Sequence, residues 1–475
     1  MSNNHRTSSC TSILIGKKAT IDGSIIIGRN EDASASLPKH FIVHSRKEYK
    51  ENPCFISKVN QFRLTLPKIR YKYTATPEWT DKEGKFEESG FNEFGVAMSA
   101  TESTYTNATA LGADPLVAEG IGEEAMVTCV LPYVKTARAA IERLGSIVEK
   151  YGTCESNGVL FADVKEAWYM EIVCGHQWLA QRIPDDCYAV IANQVAIQEV
   201  DFEDNYNFMF KDDLKEFVID NQLNPQPDHF NFRLIFGTRG DFDEHYNTPR
   251  VWWGQQQFSD FDKEVQPTSE DLPFYLRPQR KLSIDDAKMY LSSHYQQTPY
   301  DLLNPKAQHH DFRPISLAKT QESHLLQIRN FDNQAIACLH WLALGVTAQS
   351  VYVPFYLGMK QTPVFYRKGK LPADFDSAYW LYKLVGVLVD AHYPELGSML
   401  HDYQKKINVH LNQQVRQIDQ QALEYSDQAM LTDFLTQQSA QMADYAAEQY
   451  RQLAAKLLTK ATELSPLNFK TDLNL

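Results

Sequence analysis

Short apolar runs bounded by glycine, proline, aspartate and asparagine recur through the first three quarters of the chain. They read SILIG, SIIIG, GVAMSA, GVLFADV, AWYMEIV, YAVIAN and SVYVPFY. Runs of this length, rich in β-branched and aromatic residues, predict β-strands. Residues 116–150 instead repeat apolar positions at roughly helical spacing, at Ile121, Ala125, Val127, Val134, Ala137 and Ile141. The alternation predicts an α+β fold in which helices cover sheets.

The pattern changes after about Leu371, where a glutamine-rich background carries apolar residues three or four positions apart. The first such stretch comprises Leu400, Tyr403, Ile407, Leu411, Val415 and Ile418, and the second comprises Met442, Ala446, Leu453 and Leu457. This spacing predicts long amphipathic helices whose apolar faces pack on the main domain or on another subunit. We therefore expect a main domain over residues 10–370, a helical region over residues 371–475, and a homo-oligomer.

The first two apolar runs flank the turn-rich segment GKKATIDG and predict an antiparallel hairpin. If Gly16 and Gly23 flank the loop symmetrically, Cys10 lies opposite Arg29. A tight turn centred on Asp22 and Gly23 shifts that register by six residues. The pattern leaves both pairings open.

Composition and charge limit the classes of function. With 43% hydrophobic and 12% aromatic residues, the 475-residue chain is typical of globular proteins. Its 47 basic and 60 acidic residues give a formal net charge of −13, which argues against a nucleic-acid or anionic-membrane surface. No run approaches the ~18 apolar residues of a membrane span, and residues 1–9 lack the apolar core of a secretory signal.

The seven cysteines are odd in number, widely spaced and form no CxxC pair. A disulfide framework or a cysteine-based zinc site is therefore not expected, and this cysteine usage fits a reducing cytoplasm. The chain also contains no Walker loop and no GxGxxG motif after a strand. We expect a cytoplasmic protein that needs no cofactor or metal.

Cys10 stands just ahead of the first predicted strand. Removal of residues 1–9 would give it a free α-amine, whose pKa of ~7.7–8 suits proton transfer at neutral pH, beside a thiol whose pKa is ~8.5. One residue then supplies both nucleophile and base, as in the N-terminal hydrolases. In this hypothesis Arg29 lowers the thiol pKa and Asp32 orients the ammonium. In the alternative interpretation Cys10 is an inert buried residue.

The segment CTSILIGKKATIDGSIIIGRNEDA closely resembles the start of the mature chain in the cysteine-type dipeptidases of the N-terminal-nucleophile superfamily, the bacterial dipeptidase A kind. The resemblance continues through GFNEFGVAMSATES, YGTCESNGVLFAD, RIPDDCYAVIANQ and HYNTPRVWWGQ, and covers most of residues 10 to about 385. It implies a four-layer αββα sandwich and hydrolysis of dipeptides, with broad specificity and without a metal. It also implies that residues 1–9 are a propeptide removed by self-cleavage.

More distantly, the chain resembles the acylases of this superfamily that cleave penicillin V or conjugated bile acids. Their catalytic cysteine, arginine and aspartate match Cys10, Arg29 and Asp32 at identical spacing. Their asparagine at a strand end matches Asn193, and their arginine matches Arg250 after a spacer that is three residues longer. The resemblance therefore implies that all five residues are catalytic, with Asn193 binding the oxyanion.

Glu102 occupies the position at which the acylases carry a second oxyanion-binding asparagine. An ionised carboxylate only accepts hydrogen bonds, so Glu102 cannot take that role and a backbone N–H is expected instead. A dipeptide also carries an ammonium and a carboxylate that lose water on binding. Glu102 is a candidate for the ammonium and Arg250 for the carboxylate.

Two further functions stay open from the sequence. The same nucleophile could hydrolyse another amide, such as an N-acyl amino acid or a penicillin-type side chain. The chain also resembles the secernins, which share this motif set and are known chiefly for a trafficking role, so a non-enzymatic interaction protein is the alternative from another class. Maturation separates them, because the enzyme hypothesis requires Cys10 to become the first residue.

Overall fold

The structure, a computed structural model, describes residues 9–260, 265–270, 272–304, 306–307 and 311–468, apart from the side chains of Thr101 and Glu102. The strands of this part are β1 (Thr11–Ile15), β2 (Ile25–Asp32), β3 (Ile42–His44), β4 (Lys47–Glu48), β5 (Cys54–Ile56), β6 (Arg63–Thr65), β7 (Ile69–Arg70), β8 (Tyr73–Ala75), β9 (Ser89–Phe91), β10 (Ala97–Ser103), β11 (Asn157–Ala162), β12 (Ala167–Ile172), β13 (Trp178–Ile183), β14 (Tyr188–Ile191), β15 (Phe208–Phe210), β16 (Tyr275–Leu276), β17 (Thr320–Ile328), β18 (Cys338–Leu344) and β19 (Val353–Tyr356).

The α-helices of the same part are α1 (Ala108–Ala113), α2 (Glu123–Val130), α3 (Ala137–Tyr151), α4 (Leu214–Asp220), α5 (Phe232–Phe236), α6 (Asp241–Tyr246), α7 (Thr248–Phe258), α8 (Ile284–Leu291), α9 (Gln334–Ala337), α10 (Ala378–Asp390), α11 (Tyr393–Ala422) and α12 (Gln428–Glu463). No helix within the described ranges is both long and apolar enough to cross a membrane.

Two antiparallel sheets dominate the architecture. The larger has the strand order β16-β14-β1-β2-β17-β18-β19, and the smaller has the order β15-β13-β12-β11-β10-β9. Three further pairs, β3-β8, β4-β7 and β5-β6, form short two-stranded sheets. This mixture of antiparallel sheets and helices confirms the predicted α+β class.

Three hydrophobic clusters explain why the strands read as continuous apolar runs. One contains Leu14 and Ile27 of the larger sheet together with Leu160 of the smaller sheet. Ile13 and Ile26, on the opposite face of the larger sheet, belong to a second cluster that includes residues of α7, α8 and α10 to α12. The third joins the other face of the smaller sheet to α2 and α3. Since both faces of each sheet are buried, neither face needs polar residues.

The segment 116–150, where the apolar spacing predicts helical structure, contains two helices, α2 and α3. A tight turn over Leu131–Tyr133, which includes Pro132, separates α2 from α3. Thr136 then starts α3 as its N-cap, and its hydroxyl accepts a hydrogen bond from the backbone N–H of Ala139 at 3.1 Å. Proline and an N-capping threonine outweigh the apolar spacing here.

The two long C-terminal helices are confirmed as α11 and α12, of 30 and 36 residues. Their buried apolar positions belong to the same cluster as Val353 and Tyr356 of β19. Arg329, just after β17, donates two hydrogen bonds to the Asp419 carboxylate of α11, at 2.5 and 3.0 Å. The helices therefore pack on the larger sheet.

The β1–β2 register differs from both predicted pairings, because Ser12 lies opposite Arg29. The connecting loop bonds outside the hairpin: Lys18 N–H donates to the Asp185 carbonyl at 2.7 Å, and Ile21 N–H donates to the Leu282 carbonyl at 3.0 Å. These contacts fix how many residues belong to the loop, and that number sets the register of the two strands. Cys10 is thus diagonal to Arg29 and on the same face, since side chains alternate with a period of two.

Candidate active site

The structure brings together the five residues predicted to be catalytic, and all five are fully buried: Cys10, Arg29, Asp32, Asn193 and Arg250. Cys10 directly precedes β1, Arg29 and Asp32 lie in β2, and Asn193 follows the end of β14. β1 pairs with both β2 and β14, so the centre of the larger sheet supplies four of the five. Arg250 comes from the first turn of α7.

The Arg29 guanidinium contacts the predicted nucleophile directly. Its Nη1 donates to the Cys10 Sγ at 2.9 Å. Neither side chain is exposed to solvent in the described structure. A fixed positive charge at hydrogen-bond distance stabilises a thiolate relative to a thiol.

Arg29 is itself held on every side of its guanidinium. Nη2 donates to Glu88 Oε2 at 2.5 Å and to the Ala100 carbonyl at 2.8 Å, and Nε donates to Ser99 Oγ at 3.1 Å. Glu123 Oε1 lies 3.8 Å from Nη1. Burial by itself lowers the pKa of Arg29, but the adjacent Cys10 and carboxylates hold it well above its usual value. The guanidinium is therefore a permanent, oriented cation.

Arg250 connects the backbone of the nucleophile to Asn193. Its Nη1 donates to the Cys10 carbonyl and, at 2.8 Å, to Thr11 Oγ1. Its Nη2 donates to Asn193 Oδ1 at 2.9 Å and to Asn247 Oδ1 at 2.7 Å. An arginine on Oδ1 fixes the amide of Asn193 so that Nδ2 is the outward donor.

Asn193 Nδ2 donates one hydrogen bond to the Ser103 carbonyl at 2.9 Å. The segment after Asn193 is anchored by Glu171 of β12, whose carboxylate accepts from Ala196 N–H at 2.6 Å and Ile197 N–H at 3.3 Å. Burial raises the pKa of Glu171 to about 8, although these two N–H donors lower it. Through the same two hydrogen bonds Glu171 holds the loop that carries Asn193.

The carboxylate of Asp32 is occupied by two donors that the sequence did not indicate. Arg313 Nη2 donates to Asp32 Oδ2 at 2.5 Å, and the Thr320 hydroxyl donates to Oδ1. The Asp32 backbone carbonyl accepts from Ser9 N–H at 2.8 Å. Asp32 thus lies beside Ser9 and shares Arg313 with the Ser9 carbonyl. Its expected role in orienting the new amine of Cys10 stays a prediction.

Arg313 and Tyr246 are site residues that sequence reasoning missed. The Tyr246 ring centre lies 5.2 Å from the Arg250 guanidinium carbon and 5.0 Å from that of Arg313. Tyr246 stands four residues before Arg250, which places both on one side of a helical segment and was the one available signal. Arg313 stands in the segment DFRP, where the residue types carry no motif.

Glu102, the predicted substrate-binding residue, lies in β10 opposite Gly158, next to an irregularity in the pairing of β10 with β11. Its side chain lies outside the described part of the structure. The expected contact with a substrate ammonium stays a prediction.

A cavity of about 300 Å³ borders this cluster. Its lining includes Glu123, Glu124, Glu155, Lys58 and Lys82. Glu123 Oε1 and Cys10 Sγ lie 3.8 and 2.9 Å from the same nitrogen of Arg29, so one wall of the cavity is close to the sulfur. Within the described residues, no group of three or more histidine, cysteine, aspartate or glutamate side chains is arranged to hold a metal.

Comparison with known proteins identifies the family to which the chain belongs. The sequence profile described as Peptidase family C69 matches residues 9–406. The chain is 42% identical over 475 residues to a protein named probable dipeptidase from Latilactobacillus sakei, covering 98% of each chain. It is 37% identical to probable dipeptidase B of Lactococcus lactis, covering 98% of each chain, and 36% identical to dipeptidase A of Lactobacillus helveticus, covering 97% and 98%.

Proposed function

The chain belongs to peptidase family C69 and is a peptidase, and on that premise we propose that it hydrolyses dipeptides with Cys10 as an N-terminal nucleophile. Relatives that carry the name dipeptidase match it along nearly their whole lengths, which supports a dipeptide substrate. The observation that carries the proposal is the 2.9 Å contact between Arg29 Nη1 and Cys10 Sγ. Cys10 directly follows residues 1–9, the predicted propeptide. Residues 1–8 lie outside the described structure.

In the proposed mechanism, residues 1–9 are removed and Cys10 gains a free α-amine. The α-amine takes the proton of the thiol, and the thiolate, stabilised by Arg29, attacks the peptide carbonyl carbon and forms a tetrahedral oxyanion. The second N–H of Asn193 Nδ2 and a backbone N–H stabilise that oxyanion. The α-amine delivers a proton to the leaving nitrogen, and the resulting thioester is hydrolysed by a water that the same amine deprotonates.

We place the dipeptide in the cavity bordered by Glu123. The substrate ammonium is only two bonds from the carbonyl carbon that sulfur attacks, so its counter-charge must lie close to Cys10. Glu123 satisfies this requirement because its Oε1 lies 3.8 Å from the Arg29 Nη1 that contacts Cys10 Sγ. We therefore propose Glu123 as a candidate for the ammonium beside the predicted Glu102. Lys58 and Lys82 line the same cavity and supply positive charge for the substrate carboxylate.

Three broader proposals accompany the activity. The three hydrophobic clusters support a four-layer arrangement in which helices cover the outer faces of two packed sheets. Six cysteines, namely Cys54, Cys129, Cys154, Cys174, Cys187 and Cys338, are free thiols, which supports a reducing cytoplasm. Broad side-chain specificity rests on the resemblance to the cysteine dipeptidases. Homo-oligomer formation stays a prediction, because the buried apolar faces of α11 and α12 pack on the larger sheet of the same chain.

The test combines the mass of the purified chain with turnover of a dipeptide panel. We expect the mature wild type to begin at Cys10 and to hydrolyse free dipeptides faster than N-acylated amides of penicillin or bile-salt type. Cys10→Ala should abolish turnover and leave residues 1–9 attached. Cys54→Ser, which changes an exposed free cysteine, is the matched control and should retain activity.

Two results would contradict the proposal. One is an active preparation in which Cys10 remains amide-bonded to Ser9. The other is undiminished dipeptide turnover by Cys10→Ala.

A further inference from the structure

Ser9, the residue on the amino side of the nucleophile, is held by buried polar contacts. Its N–H donates to the Asp32 carbonyl at 2.8 Å, and its carbonyl accepts from Arg313 Nη2 at 3.0 Å. The Ser9 hydroxyl lies 3.4 Å from the same Nη2 and shares a hydrogen bond with Tyr246. Ser9 is 2% exposed. Three polar groups of a residue expected to be discarded are thus bound.

Arg313 is positioned for this contact by the protein around it. Nη2 also donates to Asp32 Oδ2 at 2.5 Å, and Nη1 donates to the Pro314 carbonyl at 3.0 Å. The guanidinium lies beside the Tyr246 ring, and the side chain is buried. Burial by itself lowers the pKa of Arg313, but Asp32 and Tyr246 raise it above its usual value. The donor on the Ser9 carbonyl is therefore charged and held in place by several partners.

We propose that Arg313 is a catalytic residue of self-cleavage at the Ser9–Cys10 bond, where it stabilises the oxyanion that forms on the Ser9 carbonyl. This inference rests on the proposed N-terminal-nucleophile function. The two reacting groups are then served by different arginines: Arg29 contacts the sulfur at 2.9 Å, and Arg313 contacts the carbonyl oxygen at 3.0 Å. Oxyanion donors act at about 2.7–3.1 Å.

The reaction balances without a further reagent. Cys10 loses its thiol proton to water, and the sulfur bonds to the Ser9 carbonyl carbon while the carbonyl electron pair moves to the oxygen beside Arg313. The tetrahedral intermediate collapses, the C–N bond to Cys10 breaks, and the nitrogen takes a proton from water to become the α-amine. Water then adds to the thioester, the C–S bond breaks, the thiol is restored and residues 1–9 leave with a new carboxyl group.

The test follows maturation of the full chain during cell-free synthesis, with samples quenched in acid at intervals and analysed by intact mass. Arg313→Gln removes the charged donor and should slow cleavage by about 100-fold, the typical cost of one lost oxyanion donor. Arg313→Lys keeps the charge beside Asp32 and is the second variant if the glutamine variant misfolds. We expect it to be slowed at least ~10-fold, because one ammonium replaces the planar fork that spans Asp32, Ser9 and Pro314.

Arg329→Gln is the matched control, since it removes another buried arginine that pairs with an aspartate, Asp419, away from Cys10. It should mature at the wild-type rate. Maturation of Arg313→Gln or Arg313→Lys within twofold of wild type would overturn the role of Arg313 while leaving the N-terminal nucleophile intact. A wild type that hydrolyses dipeptides with Ser9 still attached would instead refute the proposed function, and the role of Arg313 with it.

Discussion

Arg29 and Cys10 are two residues out of direct register across β1 and β2, yet Arg29 Nη1 donates to Cys10 Sγ at 2.9 Å. The contact is possible because residues two apart on a strand share a face, and an arginine reaches diagonally across the pair. It places one permanent positive charge beside the sulfur of the predicted nucleophile.

We expect Arg29→Lys to lower kcat/KM for dipeptides at pH 7 by about 10- to 100-fold and to move the acid limb of the pH profile upward by one to two units. Lysine cannot hold Sγ, Glu88 and Ala100 at once, so the thiolate is less stabilised. The pH dependence of kcat/KM checks this. Arg143→Lys, which changes an arginine bonded to the Cys129 carbonyl, is the control. An unchanged acid limb in Arg29→Lys would show that Arg29 does not stabilise the thiolate.

Asn193→Ala and Asn193→Asp should both reduce kcat by about 10²- to 10³-fold with little change in KM, because both lose the N–H that we propose as an oxyanion donor. The aspartate variant keeps the size and can still accept from Arg250. Asn92→Asp, which weakens buried hydrogen bonds to the Leu131 and Val134 carbonyls, should lower the melting temperature but not kcat. Full kcat in Asn193→Asp would exclude the proposed donor.

Glu123→Gln should raise KM for free dipeptides about tenfold, since a charge-assisted hydrogen bond to the substrate ammonium is lost. N-acetylated dipeptides lack that ammonium and should show the same KM with wild type and variant. Steady-state kinetics with both substrate series checks the prediction. Equal KM changes in the two series would show that Glu123 acts on the site through Arg29 and not on the ammonium.

Glu87 should make folding stability sensitive to acid. Burial by itself raises its pKa, but the hydrogen bond and charge of His44, the charge of Lys85 and the hydrogen bond from Thr128 outweigh burial and bring the pKa to about 2, below the 4.5 of a free glutamate. The hydrogen bonds from His44 and Thr128 are both 2.7 Å long, and Tyr73 donates a further one at 2.8 Å. A carboxyl with a depressed pKa contributes stability above its unfolded pKa and loses it as pH falls through the folded one.

The free energy of unfolding should therefore fall between about pH 5 and pH 2, with Glu87 contributing on the order of 3 kcal/mol. Glu87→Gln should flatten part of that slope, which denaturant titrations at several pH values measure. Glu51→Gln changes an exposed glutamate and is the control. An identical slope in Glu87→Gln and wild type would contradict the assignment.

Leu435 of α12 should report whether the helical region and the sheets unfold together. The side chain is fully buried in the cluster that joins α12 to β19. Leu435→Ala should cost about 2–5 kcal/mol and shift one cooperative transition. Leu458→Ala, on the exposed face of α12, should change stability little. Two separate transitions in wild type would instead support an independent region over residues 371–475.

Local sequence patterns were sufficient to predict many of the strands and the long C-terminal helices of this protein. The strands could be predicted because both faces of each sheet are buried, so that each strand is a continuous apolar run. The long helices could be predicted because one apolar stripe repeats over many turns. The spacing of Cys10, Arg29 and Asp32 is likewise local, since β1 and β2 are joined by one loop. That is why the sequence predicted the central contact of the site, although not its register.

Tertiary structure decided what depends on distant segments. The register follows from loop bonds to Asp185 and Leu282, and the charge on Asp32 is matched by Arg313, 281 positions away. Such partners share no periodicity with the residues they contact, because their proximity is created by the order of strands in the sheet and not by spacing along the chain. For this reason Cys10 was visible in the sequence, whereas the arginine that holds the carbonyl beside it became visible only in the folded chain.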